Sequence, residues 1–559
     1  MAGAKIMKRT QPKIIELNVE RVQRALQHAE AALHDEDYEI IRALADSYAY
    51  ITDLVGEKNI TIRRLRKMLF GASTEKSEAV IGKGKHSETS SSPGKDGPAQ
   101  SSQENDPKNH ASSPRKGHGR NGADAYRGAE KIRVPHESLK PGDACPDCQE
   151  GTVYEVARPA VLVRIKGQAP VAATVYQLQK MRCNLCGKVF TAQTPEGVGS
   201  RKYDATAGSM IALLKYGSGM PFNRMQGLQG NLGIPLPAST QWDIVHAQAR
   251  HLEPVYVELL RQAGQGDVVY NDDTTIKILE LMGKRAQQHP PAEDLPGRSG
   301  MFTSGIVSMH QGRKIALFFS GRKHAGENLA DVLAQRATTL EPPIQMCDAL
   351  SRNLPAELET IVANCLAHGR RQFVDVVDRF PEECRYVLEV LKEVYKNDAI
   401  ARERGLSPEA RLQFHQTKSS PIMKKLHDWL TQQFDDRRVE PNSALGQAIS
   451  YMLNHWEKLT LFLQKPGAPL DNNVCEQALK RAILHRKNAL FYKTLNGAHV
   501  GDMFMSLIHT CHLNDVNTFD YLTELQRHAG DLAAQPENWM PWNYRDTLSG
   551  EPSPSSPTS

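Results

Sequence analysis

Residues 267–279 read DVVYNDDTTIKIL. The β-branched and aromatic run Val268-Val269-Tyr270 predicts a strand, and the strand delivers two carboxylates, Asp272 and Asp273, to its end. Two more strands follow in GIVSMHQGR and KIALFFSG, joined as a hairpin around Gln311-Gly312. A helix near ENLADVLAQR comes next, then a short strand in PIQMCDAL that ends on Asp348, then another in ANCLAHG. This texture predicts an α/β region over 265–373. Residues 374–465 read as almost wholly helical, a further helical block covers 466–530, and 531–559 read as a tail.

A length of 559 residues argues for several domains, and 40% hydrophobic residues leave ample material for a core. No stretch approaches the roughly 18 uninterrupted apolar residues of a membrane span, and the opening MAGAKIMKRTQPKIIELNVE lacks a secretory apolar region. A cytoplasmic protein is expected. Lys+Arg 69 against Asp+Glu 64 leaves a net charge of only +5, so a polyanion partner would have to be met by local patches.

Residues 1–72 are expected to be helical. Ile41, Leu44, Tyr48, Ile51, Val55, Lys58, Ile62, Leu65 and Leu69 follow an alternating three-four spacing, and eight of these nine are apolar. That is the pattern of a coiled-coil seam or an antiparallel hairpin, and equally of an amphipathic helix packed on its own domain. Residues 73–125 change to Ser, Gly, Pro and charge, a composition that cannot bury enough surface to offset its ordering entropy, so a disordered linker is expected. Its basic end, through Arg120, suits phosphate contact or simple solvation.

Nine cysteines are present, four of them in two tight pairs, Cys145/Cys148 and Cys183/Cys186. Two C-x2-C knuckles separated by β-rich segments (AVLVRIKG and AATVYQLQKMRC) can place four thiolates around one structural Zn²⁺, so a zinc ribbon is expected over 126–200, with Lys188 beside the second knuckle. Residues 201–264 read as helices with a Gly-containing turn in RMQGLQGNLGIPLPASTQWDIVHAQA, which is compatible with a helix-turn-helix and with any other helical hairpin.

The acids form the second constellation. Asp272 and Asp348 end strands, and Glu476 opens a helix in DNNVCEQALKR. Carboxylates so placed can hold two divalent metals about 3.5–4 Å apart for phosphodiester chemistry, and hard oxygen ligands select Mg²⁺ or Mn²⁺. Taken singly, an Asp after a strand is more often a turn former or helix cap.

Spread along the chain are LFGASTEK at 69–76, His118-Gly119-Arg120, the paired knuckles and LLKYGSGMPFNRMQGL. Further on come Asp272-Asp273-Thr274, Cys347-Asp348, Cys365-Leu-Ala-His368-Gly-Arg370-Arg371, Asp471-Asn472-Asn473 through Glu476, and Arg486-Lys487-Asn488-Ala-Leu490-Phe491. With these motifs the chain resembles the insertion sequence 66 family of bacterial transposases, and only the linker and the termini fall outside the likeness.

The resemblance implies a multidomain α/β protein whose RNase H-like, DDE-type catalytic core is interrupted by an all-α insertion. It implies Asp272, Asp348 and Glu476 as catalytic acids holding two Mg²⁺ or Mn²⁺, with Asp273 orienting them. It further implies double-stranded DNA as partner, both the element's terminal inverted repeats and the target, with a homo-oligomer and accessory proteins of the same element. Candidate DNA contacts are His368, Arg370, Arg371, Lys480, Arg481, Arg486 and Lys487, with Arg120 and Lys188; structural ion pairs or a solvated basic face are the plainer readings of these side chains. Lys480, His485 and Gln149 stand where the family often carries Arg, Gly and Gly. Two other classes stay open: an RNase H-like metal-dependent nuclease, and a non-catalytic zinc-containing DNA-binding protein.

Overall fold

The computed structural model describes residues 201–550 except 289–297 and 357, together with residues 38 and 42 and the stretches 138–146, 148–154, 169–182 and 189–199. The chain divides into two units, Met1–Ser87 and Glu88–Ser559, and every element named below belongs to the second. The 41–69 seam, the 73–125 linker, Arg120, Cys183, Cys186 and Lys188 lie outside the described residues.

A small hairpin, β1 (Lys180–Arg182) with β2 (Val189–Thr191), precedes three helices, α1 (Ala205–Ala212), α2 (Phe222–Asn231) and α3 (Ala238–Ala263). Then come β3 (Val268–Thr275), β4 (Phe302–His310), β5 (Arg313–Gly321), α4 (Ala325–Leu333), β6 (Ile344–Cys347) and β7 (Ile361–Asn364). Helices α5 (Leu366–Val376), α6 (Pro381–Glu403), α7 (Pro408–Lys418), α8 (Ser420–Asp435), α9 (Ala444–Asn454) and the single turn α10 (Trp456–Leu459) follow. The chain closes with α11 (Asn473–Ala489), α12 (Leu495–Leu513), α13 (Thr518–Arg527) and α14 (Tyr544–Ser549).

The sheet runs β5-β4-β3-β6-β7, antiparallel across β5, β4 and β3 and parallel across β3, β6 and β7. The β4–β5 hairpin turns on Gln311 (φ 49°) and Gly312 (φ 79°). Two consecutive left-handed residues match the twist of the flanking strands, which is why a two-residue loop suffices. Helix α4 lies on one face of the sheet, where Asn328 donates to Ser304 Oγ at 2.8 Å. Helix α11 lies on the other face, against Gly305. Of the strand expected through AATVYQLQKMRC only Lys180–Arg182 forms; residues 172–179 are exposed and belong to no strand.

β5 would present a bare edge, and α12 covers it with side chains spaced four apart. Asp502, Ser506, Thr510 and Asn514 accept from the backbone N–H groups of Ser320, Phe318, Ala316 and Lys314 at 2.6, 3.0, 3.0 and 3.2 Å. Thr510 Oγ1 and Asn514 Nδ2 also donate back to the carbonyls of Ala316 and Lys314. Four residues of helix advance about 6 Å and two of strand about 6.6 Å, so the two periods stay in step over four pairings. A helix thus stands where a sixth strand would otherwise pair.

Asp502 is fully enclosed, and burial pushes its carboxyl from 3.8 to about 7 even though Ser320 donates to both its oxygens. With its folded pKa above the unfolded one, the folded state holds more protons between about pH 4 and 7, so stability falls as pH rises through that window. Asp502→Asn keeps the shape and removes the charge, its amide oxygen accepting from the Ser320 N–H and its Nδ2 donating to Ser320 Oγ. Comparing melting temperatures with wild type at pH 5 and pH 8 should show the variant losing less between them; equal losses would place the pH dependence elsewhere.

Among α6–α8, Asp398 is buried and held near pKa 2: burial opposes its charge, but His415, Arg411 and Arg402 favour it more. Its Oδ1 meets Arg411 Nη2 at 2.7 Å and His415 Nε2 at 3.2 Å, while His415 Nδ1 meets Ser419 Oγ at 2.9 Å. The Ser-His-Asp order is that of a hydrolase triad, but Ser419 and His415 are both 0% exposed, so the chain is an internal brace. Arg411 also donates to the carbonyl of Ala468 at 2.8 Å, tying these helices to the loop that leads into α11.

The expectation of a tail from 531 fails over 531–550. Leu532, Trp539, Met540 and Tyr544 are buried, and Tyr521 donates to the carbonyl of Trp539 at 2.8 Å. The aromatics of NWMPWNY carry enough apolar area to dock the segment, a signal outweighed in the sequence by the SGEPSPSSPTS that follows.

Candidate active site

Parallel pairing of β3 with β6 sets Val268 beside Ile344 and Tyr270 beside Met346, and two more residues in that register bring Asp272 to the level of Asp348. Both are half-buried at the same end of the sheet. On the antiparallel side Asp272 pairs with Gly305, and a Cβ there would lie 3.0 Å from Leu479 and 3.5 Å from Cys475 Sγ. The absent side chain lets the first turns of α11 settle directly on β4, and Cys475 Sγ donates to the carbonyl of Gly305 at 3.2 Å. Glu476, the next residue, thereby faces the strand ends.

A buried amide network fixes this junction. Asn271 and Gln345 both donate to the carbonyl of Asn353 at 2.7 Å, and Gln345 also donates to Asn271 at 2.9 Å. Asn472, at the start of α11, donates to the carbonyl of Asn271 at 3.1 Å, and Asn353 donates to Asp348 Oδ1. Asn271, Gln345, Asn353 and Asn472 are all buried, so each missing partner would carry the full cost of a desolvated amide. Asn472 stood in a motif of the sequence without a role of its own and the other three were silent, although a polar Asn inside an apolar strand, as at Asn271, is a usable signal.

Burial, followed by the neighbouring carboxylates Asp348, Asp273 and Glu476, pushes the Asp272 carboxyl up to about 7, although the Asp273 N–H donates to it at 2.8 Å. Glu476 Oε1 is buried without a hydrogen-bond partner. Asp272 and Asp348 at one level, with Glu476 close enough to act on Asp272 and one of its oxygens without a hydrogen-bond partner, form a set of hard oxygen donors that would suit divalent cations. Asp273 is turned elsewhere: its Oδ2 lies 2.7 Å from His324 Nδ1 and its Oδ1 3.6 Å from Arg352, with its side chain 3% exposed. Neither His324 nor Arg352 stood out in the sequence, because they meet Asp273 only through the fold.

His368 Nε2 and Arg371 each approach Glu476 at 3.9 Å. Cys365, His368 and Glu476 bring one ligand atom each within 4.8 Å of one another, a grouping the sequence did not suggest. Arg370 is buried. Arg481 is half-buried and donates to the carbonyl of Gly217 at 3.2 Å, and Arg486 donates to Thr274 Oγ1 at 3.1 Å and Thr275 Oγ1 at 2.7 Å. Lys480 and Lys487 are exposed on α11. His485 is buried, stacked on Tyr492 at 4.8 Å, and burial with Lys215 nearby lowers its pKa to about 3. Burial pushes the Cys347 and Cys365 thiols up to about 12 and raises Cys475 well above its ordinary value, which disfavours a thiolate at all three.

At the first knuckle, the N–H of Cys145 donates to the carbonyl of Gly151 at 2.7 Å, and Gln149 takes φ 59° where glycine is the unstrained residue. Backbone N–H groups of Gly151 and Glu150, then Cys145, lower the Cys148 pKa, which favours the thiolate that a zinc ion needs.

A family model described as "Transposase IS66 family" matches residues 202–500. The chain is 28% identical to the uncharacterized protein y4jD of Sinorhizobium fredii over 356 residues, covering 61% of this chain and 66% of that one, just under two thirds. It is 26% identical to the uncharacterized protein y4hP of the same organism over 434 residues, 73% of this chain and 74% of the relative. No helix among the described residues is long and apolar enough to cross a membrane.

Proposed function

The chain belongs to the IS66 family of transposases, and from that premise we propose that it binds the ends of its mobile element, cleaves them, and joins the liberated 3′-hydroxyl to target DNA. The placement of Asp272 and Asp348 at one level of the strand ends, with Glu476 beside them on α11, is the observation that supports this reading. Such a cluster needs cations to complete it. When bound, Mg²⁺ or Mn²⁺ would stabilise charge on the attacking and leaving oxygens.

Asp272 and Asp348 would hold the ions from adjacent strand ends and Glu476 from α11. The N–H of Asp273 sets the orientation of the Asp272 carboxylate, while His324 and Arg352 keep the Asp273 side chain out of the ligand set. The amide network keeps β3, β6 and the start of α11 from separating as charge gathers between them. His368 and Arg371 would meet phosphate oxygens beside Glu476, and Lys480 and Lys487 the flanking backbone. Arg370, Arg481 and Arg486 would serve the protein's own packing as well.

The order β5-β4-β3-β6-β7 suits an RNase H-like core, first part 265–373 and last part 466–530, with 374–465 as an all-helical insertion. Cys145, Cys148, Cys183 and Cys186 would hold one structural Zn²⁺ in a ribbon over 126–200. Helices α2 and α3, separated by a turn at Gly233 (φ 74°), would add a helix-turn-helix-like DNA contact. The 1–72 helices would join copies, so that both element ends are held together.

The test incubates labelled duplexes carrying the element's ends with Mg²⁺ and scores binding, cleavage and joining. Cleavage without joining would favour a nuclease, and binding alone a non-catalytic DNA-binding protein. A second prediction concerns pH. Protons and cations compete for Asp272, so Mn²⁺ binding by calorimetry should be about tenfold weaker at pH 6 than at pH 8. An affinity flat across that range would remove Asp272 from the ligand set.

A further inference from the structure

From Gln477 to Gly501 the chain carries Lys480, Arg481, Arg486, Lys487 and Lys493 and no acidic residue. Within it, α11 ends in a turn where Leu490 is 63% and Phe491 42% exposed. Over 201–550 no other large apolar side chain among the described residues is as exposed as Leu490. The turn is also strained, with Leu490 at φ 69°, in a region that disfavours residues with a branched side chain.

The surrounding structure holds the turn firmly. Leu490 N donates to the carbonyl of Arg486 at 2.8 Å, Tyr492 N to that of Lys277 at 2.9 Å, and Leu279 N to that of Tyr492 at 2.9 Å. Tyr492 itself is buried in a small core with Ile276, Ile278 and Ala498. Two large apolar side chains are therefore presented to solvent on a rigid base, beside the exposed lysines 487 and 493 and, across the bridge of Ile278 with Tyr492, Lys277. One acid of this region, Glu280, accepts from the N–H of Leu495 at 2.7 Å.

We propose that the Leu490–Phe491 turn is a wedge for DNA, Phe491 stacking on an unpaired base and Leu490 filling the opened base step, with Lys277, Lys487 and Lys493 on the adjoining phosphates. The charge selects the occupant: an apolar protein partner would not call for three exposed lysines around the turn, whereas a nucleic acid offers both phosphates and stacking faces. The inference rests on the transposase reading and extends it to the part of the DNA that α11 grips.

The test uses the full chain and two 20-base-pair duplexes, one perfect and one with a two-base mismatch carrying 2-aminopurine. Wild type should bind the mismatched duplex about tenfold more tightly, the worth of one stacked base, and quench its fluorescence. The double variant Leu490→Ala/Phe491→Ala should lose both the preference and the quenching, with affinity for the perfect duplex within about twofold of wild type. Lys487→Gln should weaken both duplexes alike and reduce the salt slope by about one.

Leu490→Gly relieves the positive φ and should melt no lower than wild type, which separates a role in binding from a role in folding. A double variant that keeps the mismatch preference overturns the wedge. So does one whose sedimentation shows altered oligomeric state with unchanged DNA binding, since the turn would then be a protein interface. Wild type that binds neither duplex overturns the DNA-binding reading itself, whereas wild type that binds both equally overturns the wedge alone.

Discussion

Glu476→Gln is expected to lower strand transfer on the order of 10³-fold while leaving the fold at least as stable. Glutamine preserves the volume and the first-turn position on α11 but removes the negative charge that a divalent cation would pair with. If Glu476 is one of three acidic ligands as proposed, its loss would forfeit roughly 4 kcal/mol of transition-state stabilisation. Stability is expected to hold in the absence of cations: burial is the main cause that raises the Asp272 carboxyl, and Glu476 adds repulsion to it after Asp348 and Asp273. With one carboxylate gone that repulsion eases, so the melting temperature in chelator should hold or rise. Strand transfer gels and thermal melts on the same preparation decide the matter. Retained strand transfer would remove Glu476 from the catalytic set, and a lowered melting temperature would show it to be a structural residue.

Ser506→Ala combined with Thr510→Val should destabilise the protein by about 2–6 kcal/mol, a large share of the total stability of a typical domain. Both hydroxyls are 0% exposed and accept from the β5 edge, at Phe318 and Ala316. The substitutions keep shape but leave two buried N–H groups with no acceptor, each at about 1–3 kcal/mol. Denaturant unfolding followed by circular dichroism measures the difference. A loss under about 0.5 kcal/mol would mean that water or a shift of α12 satisfies the edge, and that the helix covers the strand by apolar packing alone.

Both predictions show what a linear reading can and cannot find. The strands β3, β4 and β5 and their hairpin were legible because their signals are local: β-branched runs, and two residues able to take positive φ at Gln311-Gly312. Asp272, Asp348 and Glu476 were picked out by motif, as acids at element ends. The hydroxyls of α12 were not, since Ser506 and Thr510 look like ordinary helix residues until β5 lies beside them. Gly305 was equally silent, because its importance is the closeness of Leu479, 174 positions along the chain.

The sequence alone determined the order of elements, the polar and apolar faces, and the family of which this chain is a member. Those properties follow from periodicity, composition and short spacings, which the chain carries wherever it is placed. The tertiary structure alone decided that Asp272 and Asp348 share a level, that Glu476 faces them, that Asp273 turns to His324, and that Arg481 and Arg486 reach back to Gly217 and Thr275. The physical reason is range. Burial, and Coulomb repulsion from groups 76 (Asp348) and 204 (Glu476) residues along the chain, arise only after strand pairing and helix packing have brought them together, and the raised pKa of Asp272 is the mark that convergence leaves.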